Sequence, residues 1–382
     1  MKILFTTFTY WPNVDGVQNV TTYQAEKLAE FGHEVTVITS KIDGSPDKEE
    51  HNKVNIVRVS AYKVGLWVKG NKSETQRIFL RYANDADAYI NVCFFDYLSQ
   101  WLLPLIPKLK CRKYVMMHGI WEYKYTALDK SNIKSFVRKT VQNSRWKQYF
   151  HKYNRLIPQF DGVFHLHKQD KSFEYFQNHG QKNNYELVNA VDERLFDIKA
   201  DNSSETKDKV IYLQIANYSF QKNQELAIRT FAEAKLEGTE LWFVGSNEND
   251  YCRYIEKVAS ECGLKNVRFY YGIPRDKLYK LIAKSDIFLL TSISEHLPVT
   301  ILEGLAVGKP FISTDVGVVS AIPGGICCKD KTELVSAIKQ LYENTQKREK
   351  LAEIGKEYVE TNCHVGVQVK KMEEVLFGTN KS

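Results

Sequence analysis

The feature that most constrains this chain is an alternation, repeated in two successive stretches, of short β-branched and aromatic runs with longer amphipathic segments. In the first stretch KILFTTF, HEVTVITS, VNIVRVS, DAYINVCFF, KYVMMHG and DGVFHLH have strand character; in the second, KVIYLQIA, TELWFVGS, VRFYYG, DIFLLTS and PFISTD do. Strands separated by helix-length segments need crossover connections rather than hairpins, so the pattern predicts βαβ units and parallel sheets. Between the stretches, DIKADNSSETKDK (Asp197–Lys209) has no large apolar residue except Ile198 and reads as a linker. The expected fold class is α/β, with two Rossmann-like domains facing a central cleft. Residues 1–198 would form the first and 199–361 the second, and the 382-residue length suits two domains of roughly 150–200 residues. A periodic closing segment over about residues 362–382 is left to pack on either domain, the first being the expectation.

Composition narrows the class further. With 43% hydrophobic and 26% charged residues the chain is too apolar for disorder, and no run approaches the ~20 apolar residues of a membrane span. The opening MKILFTTFTYWPNVDGV has a short apolar run rich in threonine and aromatics and no small-residue cleavage site, so a first strand is expected there rather than a leader. Seven cysteines without CxxC spacing suit reduced thiols and a cytoplasmic location. Histidines are scattered with no HxxxH or Cys/His cluster, so no metal site is expected. No GxGxxG follows a strand, which argues against a nicotinamide dehydrogenase.

The net charge of +7 is concentrated: residues 101–160 carry 13 basic and 2 acidic side chains. There Lys134, Arg138, Lys139, Arg145, Lys147, Lys152 and Arg155 interleave with Phe136, Val137, Val141, Trp146, Tyr149 and Phe150. The basic region 124–155 therefore suits peripheral contact with an anionic membrane or a lipid-phosphate acceptor, a plain solvated helix being the alternative. No nucleic-acid module accompanies it, so nucleic acid is not an expected partner.

The segment SDIFLLTSISEHLPVTILEGLAVGKPFISTDVG has the clearest punctuation. It reads as a strand through Leu290, a loop, a helix opening near Pro298 and ending by Gly308, then another strand. In open parallel sheets ligands lie beyond the carboxyl ends of the strands, where this loop belongs. The helix-start amides around Leu297, Val299 and Thr300 would suit a phosphate. Glu295, in the loop, could accept hydrogen bonds from sugar hydroxyls. Glu303, a turn into the helix among Ile301, Leu302, Leu305 and Ala306, needs donors, which the paired hydroxyls of a ribose would supply. A capping acid and a solvated glutamate are the plain alternatives.

These residues resemble the acid-rich signature of retaining GT-B glycosyltransferases of family 4, which include bacterial polysaccharide and mannosyl transferases. The signature is Glu, seven residues, Glu, a small-residue helix, Gly-x-Pro and a strand ending near Asp-x-Gly. Here it reads Glu295, Glu303, Gly304, Ala306, Gly308-Lys309-Pro310 and Asp315-Val316-Gly317. GHEVTVITS, YVMMHG with His118 at a strand end, LVNAVDERLF and LQIANYSFQKNQELAIRTFAEA with Lys222 are similar to further family landmarks. The resemblance implies His118 and Glu295 at the transferred sugar. It implies Gly16, Lys222, Leu297, Pro298, Val299, Thr300, Glu303, Gly272 and Ile273 as donor-binding residues.

It also implies a UDP- or GDP-sugar co-substrate without a metal, a hexosyl or N-acetylhexosaminyl group transferred, and a glycan, lipid-linked or protein-linked acceptor in bacterial surface-glycan biosynthesis, at the cytoplasmic face of the membrane. Three positions depart from the family: Ala216-Asn217 stand for Gly-Arg, Asp15-Gly16 for paired glycines, and His296 for the glycine after the first glutamate. They motivate an alternative, a non-catalytic GT-B subunit that binds a partner transferase or a glycan.

Overall fold

Strands buried on both faces and joined through helices dominate the computed structural model, which describes residues 1–12, 16–65, 67–126, 129–198 and 209–378. Most of the expected linker Asp197–Lys209 and the residues just ahead of Gly16 lie outside the described residues. The chain divides into two compact units, Met1–Val188 with Val365–Ser382, and Asn189–His364.

In chain order the first unit comprises β1 (Lys2–Thr6), α1 (Gly16–Glu30), β2 (Glu34–Ser40), β3 (Lys48–His51), β4 (Val54–Val59), β5 (Ala61–Val64), β6 (Trp67–Gly70), α2 (Lys72–Asp85), β7 (Ala88–Val92), α3 (Ser99–Leu102), β8 (Arg112–Met116), α4 (Ile133–Tyr153), β9 (Gly162–His165), α5 (Lys171–Asn178) and β10 (Asn184–Glu186). The second continues with β11 (Val210–Ile215), α6 (Gln224–Ala234), β12 (Thr239–Gly245), α7 (Asp250–Glu261), β13 (Val267–Tyr271), α8 (Arg275–Lys284), β14 (Ile287–Leu290), α9 (Val299–Ala306), β15 (Phe311–Thr314), β16 (Gly325–Cys328), α10 (Lys331–Glu343) and α11 (Thr345–Asn362), after which α12 (Val365–Phe377) returns to the first.

The first unit holds an eight-stranded sheet in the order β10-β9-β8-β7-β1-β2-β4-β3, parallel except for β3, and the hairpin β5–β6 stands apart from it. The second holds a six-stranded, wholly parallel sheet in the order β13-β12-β11-β14-β15-β16. Every residue of β7 (AYINV) and of β12 (TELWFVG) is buried, as expected of strands covered by helices on both faces. α12 packs on α1, burying Val369, Met372 and Leu376, while Arg112 Nη1 donates to Leu376 O at 2.6 Å and His33 Nε2 lies 2.8 Å from Glu373 Oε1.

Residues 189–198, placed with the first domain on sequence, pack with the second unit instead. Val191 N donates to Cys363 O at 2.9 Å, Asn189 Nδ2 to Leu297 O at 3.1 Å, and Asp192 accepts from Tyr279. The polar run after them has the composition of a linker, but these hydrogen bonds decide where the second unit begins.

The helix α9 rests on β14 through a glycine. A Cβ at Gly304 would come within 2.7 Å of the Phe288 ring, closer than packing allows. In an exposed helix Gly→Ala is worth about 1 kcal/mol of stabilisation, whereas overpacking costs about 1–3 kcal/mol. Gly304→Ala is therefore expected to lower stability by about 1 kcal/mol in denaturant unfolding; a stabilised variant would show that the helix can lift from Phe288.

Candidate functional site

The strand order of the second sheet reverses between β11 and β14, which pair directly although β12 and β13 intervene in sequence. At such a reversal the following helices go to opposite faces and leave a crevice at the carboxyl ends of the strands. The loop leaving β11 carries Lys222 and the loop leaving β14 carries Glu295. Lys222 Nζ donates to Glu295 Oε1 at 2.6 Å, and Ser292 Oγ donates to the same oxygen at 2.6 Å. Further bonds hold the loops: Ile293 N donates to Gln221 O at 2.8 Å and Thr291 Oγ1 to Asn223 O at 2.9 Å between them, and Gln214 Nε2 of β11 donates to Lys222 O at 3.0 Å. The resemblance assigns Lys222 and Glu295 to different groups of a ligand; in the structure they hold each other.

A third loop closes on this pair. Gly317 has φ +58°, and a Cβ there would lie 2.4 Å from His296 O, so the turn after β15 comes this close only with glycine. Val318 N then donates to His296 O at 3.0 Å. Beyond it, Pro298 leads into α9 with no side-chain cap. Ile301 N turns back to Pro298 O at 3.2 Å, while the amides of Val299 and Thr300 find no acceptor among the described residues. Two half-buried donors at the positive end of a helix dipole are thus left for an anion.

Glu303 is 4% exposed, in the first turn and a half of α9. The donor that its burial demands is present in the chain: Arg275 Nη2 lies 2.9 Å from Glu303 Oε1. Arg275 Nε donates to Tyr279 Oη at 2.9 Å, and Tyr279 Oη donates to Asp192 Oδ2 at 2.5 Å. Burial raises the Glu303 carboxyl above its usual range, and the guanidinium opposes that shift. At Asp192 burial acts in the same direction but is outweighed by hydrogen bonds from Arg194 and Tyr279, which hold the carboxyl down at about 2.

Arg275 was not anticipated from the sequence. Its signal was available, since it opens α8, where the helix dipole favours acids and a cation calls for a carboxylate partner from elsewhere.

Gly272 and Ile273 form the turn between β13 and α8. Gly272 has φ +54°, and its N donates to Gly245 O at 3.0 Å. Asn217, where the resembling family has arginine, accepts from Ser246 Oγ at 2.7 Å. Nine of the candidate residues thus belong to the second unit: Lys222, Gly272, Ile273, Glu295, Leu297, Pro298, Val299, Thr300 and Glu303.

Gly16 and His118 belong to the first unit. His118 is half-buried, two residues past the end of β8, and Gly16 opens α1 without a positive φ and with open space where a Cβ would point. Nothing in its backbone requires glycine. Among the described residues no three His, Cys, Asp or Glu side chains converge on a metal-sized site.

Two doubly wound parallel sheets, one with ion-paired loops at its strand-order reversal, define the GT-B architecture, and solved structures agree over the whole chain. Sucrose-phosphate synthase from Thermosynechococcus elongatus superposes with a TM-score of 0.76 at 18% identity, covering 99% of this chain and 100% of that one. Anabaena HepE in complex with UDP superposes with a TM-score of 0.72 at 16% identity, again covering 99% and 100%.

The family description "Glycosyl transferases group 1" matches residues 196–358, and "Glycosyltransferase Family 4" matches residues 14–166. The chain belongs to the family 4, group 1 glycosyltransferases. Among curated relatives, EpsF of Bacillus subtilis, described as a glycosyltransferase, is 26% identical over 136 residues, 34% of this chain and 35% of that one. The alpha-1,3/1,6-mannosyltransferase ALG2 of Kluyveromyces lactis is 25% identical over 166 residues, 35% of this chain and 33% of that one. The matched stretches span about a third of these relatives' length.

The Arg275–Glu303 pair makes stability depend on pH in a defined way. Because burial raises the Glu303 carboxyl above its ordinary value of 4.5, the folded state favours the protonated form, and this contribution is complete below 4.5 and is lost as pH rises through the raised value. Arg275→Met removes the opposing cation and enlarges that loss. Breaking a buried pair costs about 3–5 kcal/mol, which the half-exposed arginine reduces to about 1–2. Denaturant unfolding should show this deficit at pH 7 and a smaller one at pH 4; equal deficits would mean that Arg275 does not govern the charge of Glu303.

Proposed function

We propose that the chain is a retaining glycosyltransferase that moves a hexosyl or N-acetylhexosaminyl group from a UDP- or GDP-sugar to a glycan, lipid-linked or protein-linked acceptor of the bacterial surface, working at the cytoplasmic face of the membrane. One observation carries the reading: Lys222 meets Glu295 at the strand-order reversal of one sheet, and the loop that carries Glu295 runs on into the opening amides of α9, the helix that also carries Glu303. The family match supports it, as does the UDP named for HepE.

On this reading the donor diphosphate lies against the Val299 and Thr300 amides and draws Lys222 from Glu295. The freed carboxylate accepts from hydroxyls of the sugar, Glu303 accepts from the ribose, and Gly272 and Ile273 border the nucleoside. Gly16 would lie along the diphosphate, and His118 would hydrogen-bond the transferred sugar. The acceptor hydroxyl attacks the anomeric carbon on the face from which the diphosphate leaves. The carbon–oxygen bond to phosphate breaks as the new one forms, and the hydroxyl proton passes to a phosphate oxygen. The leaving charge is stabilised by fixed amides and a cation, and no protein nucleophile is required.

Asn217, bonded to Ser246 where a second phosphate-binding cation would stand, favours the second reading of a non-catalytic subunit. A panel of UDP- and GDP-sugars with the purified chain separates the two. Donor hydrolysis or transfer with the anomeric configuration kept is expected, and Lys222→Ala or Glu303→Ala should each lower kcat/KM by about 100-fold, or about 2.7 kcal/mol. A folded protein that binds no nucleotide sugar would overturn the enzyme reading.

A further inference from the structure

Of the fifteen exposed large apolar side chains among the described residues, eight lie on the β5–β6 hairpin, at Tyr123 and on the first half of α4, a small share of the chain. On α4 they are Ile133, Phe136, Val137 and Val141, a spacing that aligns them on one helix face. The second half of α4 is buried through Trp146, Tyr149, Phe150 and Tyr153, which the helical period places on the opposite side. The core therefore accounts for one apolar stripe of this helix and leaves the other outside, with Ile133 83% exposed.

The hairpin adds Tyr62, Val64 and Trp67, the last 62% exposed, and Arg145 of α4 stacks over the Trp67 ring at 4.9 Å, tying hairpin and helix into one surface.

Charge settles what this surface suits. α4 has six basic residues and no acidic one, and the hairpin with the start of α2 adds Lys63, Lys69 and Lys72. Among the described residues no carboxylate forms a salt bridge with a basic side chain of α4. Of the acids preceding α4, Glu122 pairs with Lys171 and Asp129 accepts from the Thr126 amide and hydroxyl, while the charges of Arg138 and Lys139 also bear on Asp129. Exposed aromatic and aliphatic side chains flanked by Lys and Arg in excess of carboxylates match the boundary of an anionic bilayer, where apolar groups enter the acyl edge and cations meet the headgroups. No described helix is long and apolar enough to cross a membrane.

We infer that the β5–β6 hairpin and the amino-terminal half of α4 form a docking surface for an anionic lipid bilayer. The surface lies wholly in the first unit and shares no residue with the nucleotide-sugar reading, so either can fail alone.

Co-sedimentation of the full chain with phosphatidylcholine vesicles, with and without phosphatidylglycerol, tests it. Binding should require the anionic lipid and weaken with salt. Lys134→Gln with Arg138→Gln should reduce it by about fivefold per charge. Trp67→Ser with Ile133→Ser and Val137→Ser should reduce it by about tenfold or more. All these side chains are exposed, and unchanged thermal unfolding would show that the variants fold. Equal binding to both vesicle types, or binding that survives both sets of substitutions, overturns the inference. So does a lipid-free dimer that the same substitutions convert to monomer, since the surface would then belong to a second copy of the chain.

Discussion

The reversal of strand order at β11 is the constraint on which the geometry of the candidate site depends. Because β11 pairs with β12 on one edge and with β14 on the other, loops far apart in sequence leave the sheet side by side. Lys222 and Glu295 are 73 residues apart and meet at 2.6 Å for this reason alone. A backbone bond from Ile293 to Gln221 ties the two loops together, and the Gln214 side chain of β11 ties the Lys222 backbone to the sheet. The glycine at 317 extends the arrangement to a third strand by letting its turn touch His296 O.

Glu303 poses the opposite problem, a carboxylate where the fold supplies almost no water. A buried carboxylate without donors would take up a proton rather than remain charged. Arg275 reaches it from α8, and Tyr279 links Arg275 to Asp192, so the buried acid is joined to a chain of polar groups ending at the surface. The same link secures residues 189–198 to the second unit. One network thus ties the segment after Val188, the helix after β13 and the helix after β14.

Much of the fold was legible because two-sided burial writes itself into strands as runs of Val, Ile, Leu and aromatics; the eleven strands expected from such runs are β1, β2, β4, β7 to β9 and β11 to β15. β16 (GICC) escaped because glycine and cysteine carry little strand signal, although Gly325 is required where a Cβ would meet the Phe311 ring at 2.4 Å. β3 (KEEH) is an edge strand paired only to β4, so its composition shows no buried face. In the site, the helix opening at Pro298 could be read from local punctuation. The partners of Glu295 and Glu303 could not, since each arrives from another βα unit and no local pattern encodes which loops become neighbours.

The two ion pairs differ in how readily they can be exchanged, and that difference orders the proposed binding event. Lys222 and Arg275 balance Glu295 and Glu303 one for one, so these four side chains give an approaching diphosphate no net positive field. The attraction must come from the unpaired amides of α9 and from Lys222 changing partners. A partly exposed pair is worth about 1 kcal/mol or less, which charge-assisted bonds to phosphate readily offset. Separating Arg275 from the buried Glu303 costs more, about 1–2 kcal/mol even with the arginine half-exposed, because it strands a buried carboxylate. Lys222 is then the cation that moves and Arg275 the one that stays. A ribose meets Glu303 with its charge already held, while the sugar meets a Glu295 freed only when diphosphate has arrived, so on this reading nucleotide recognition precedes engagement of the group to be transferred.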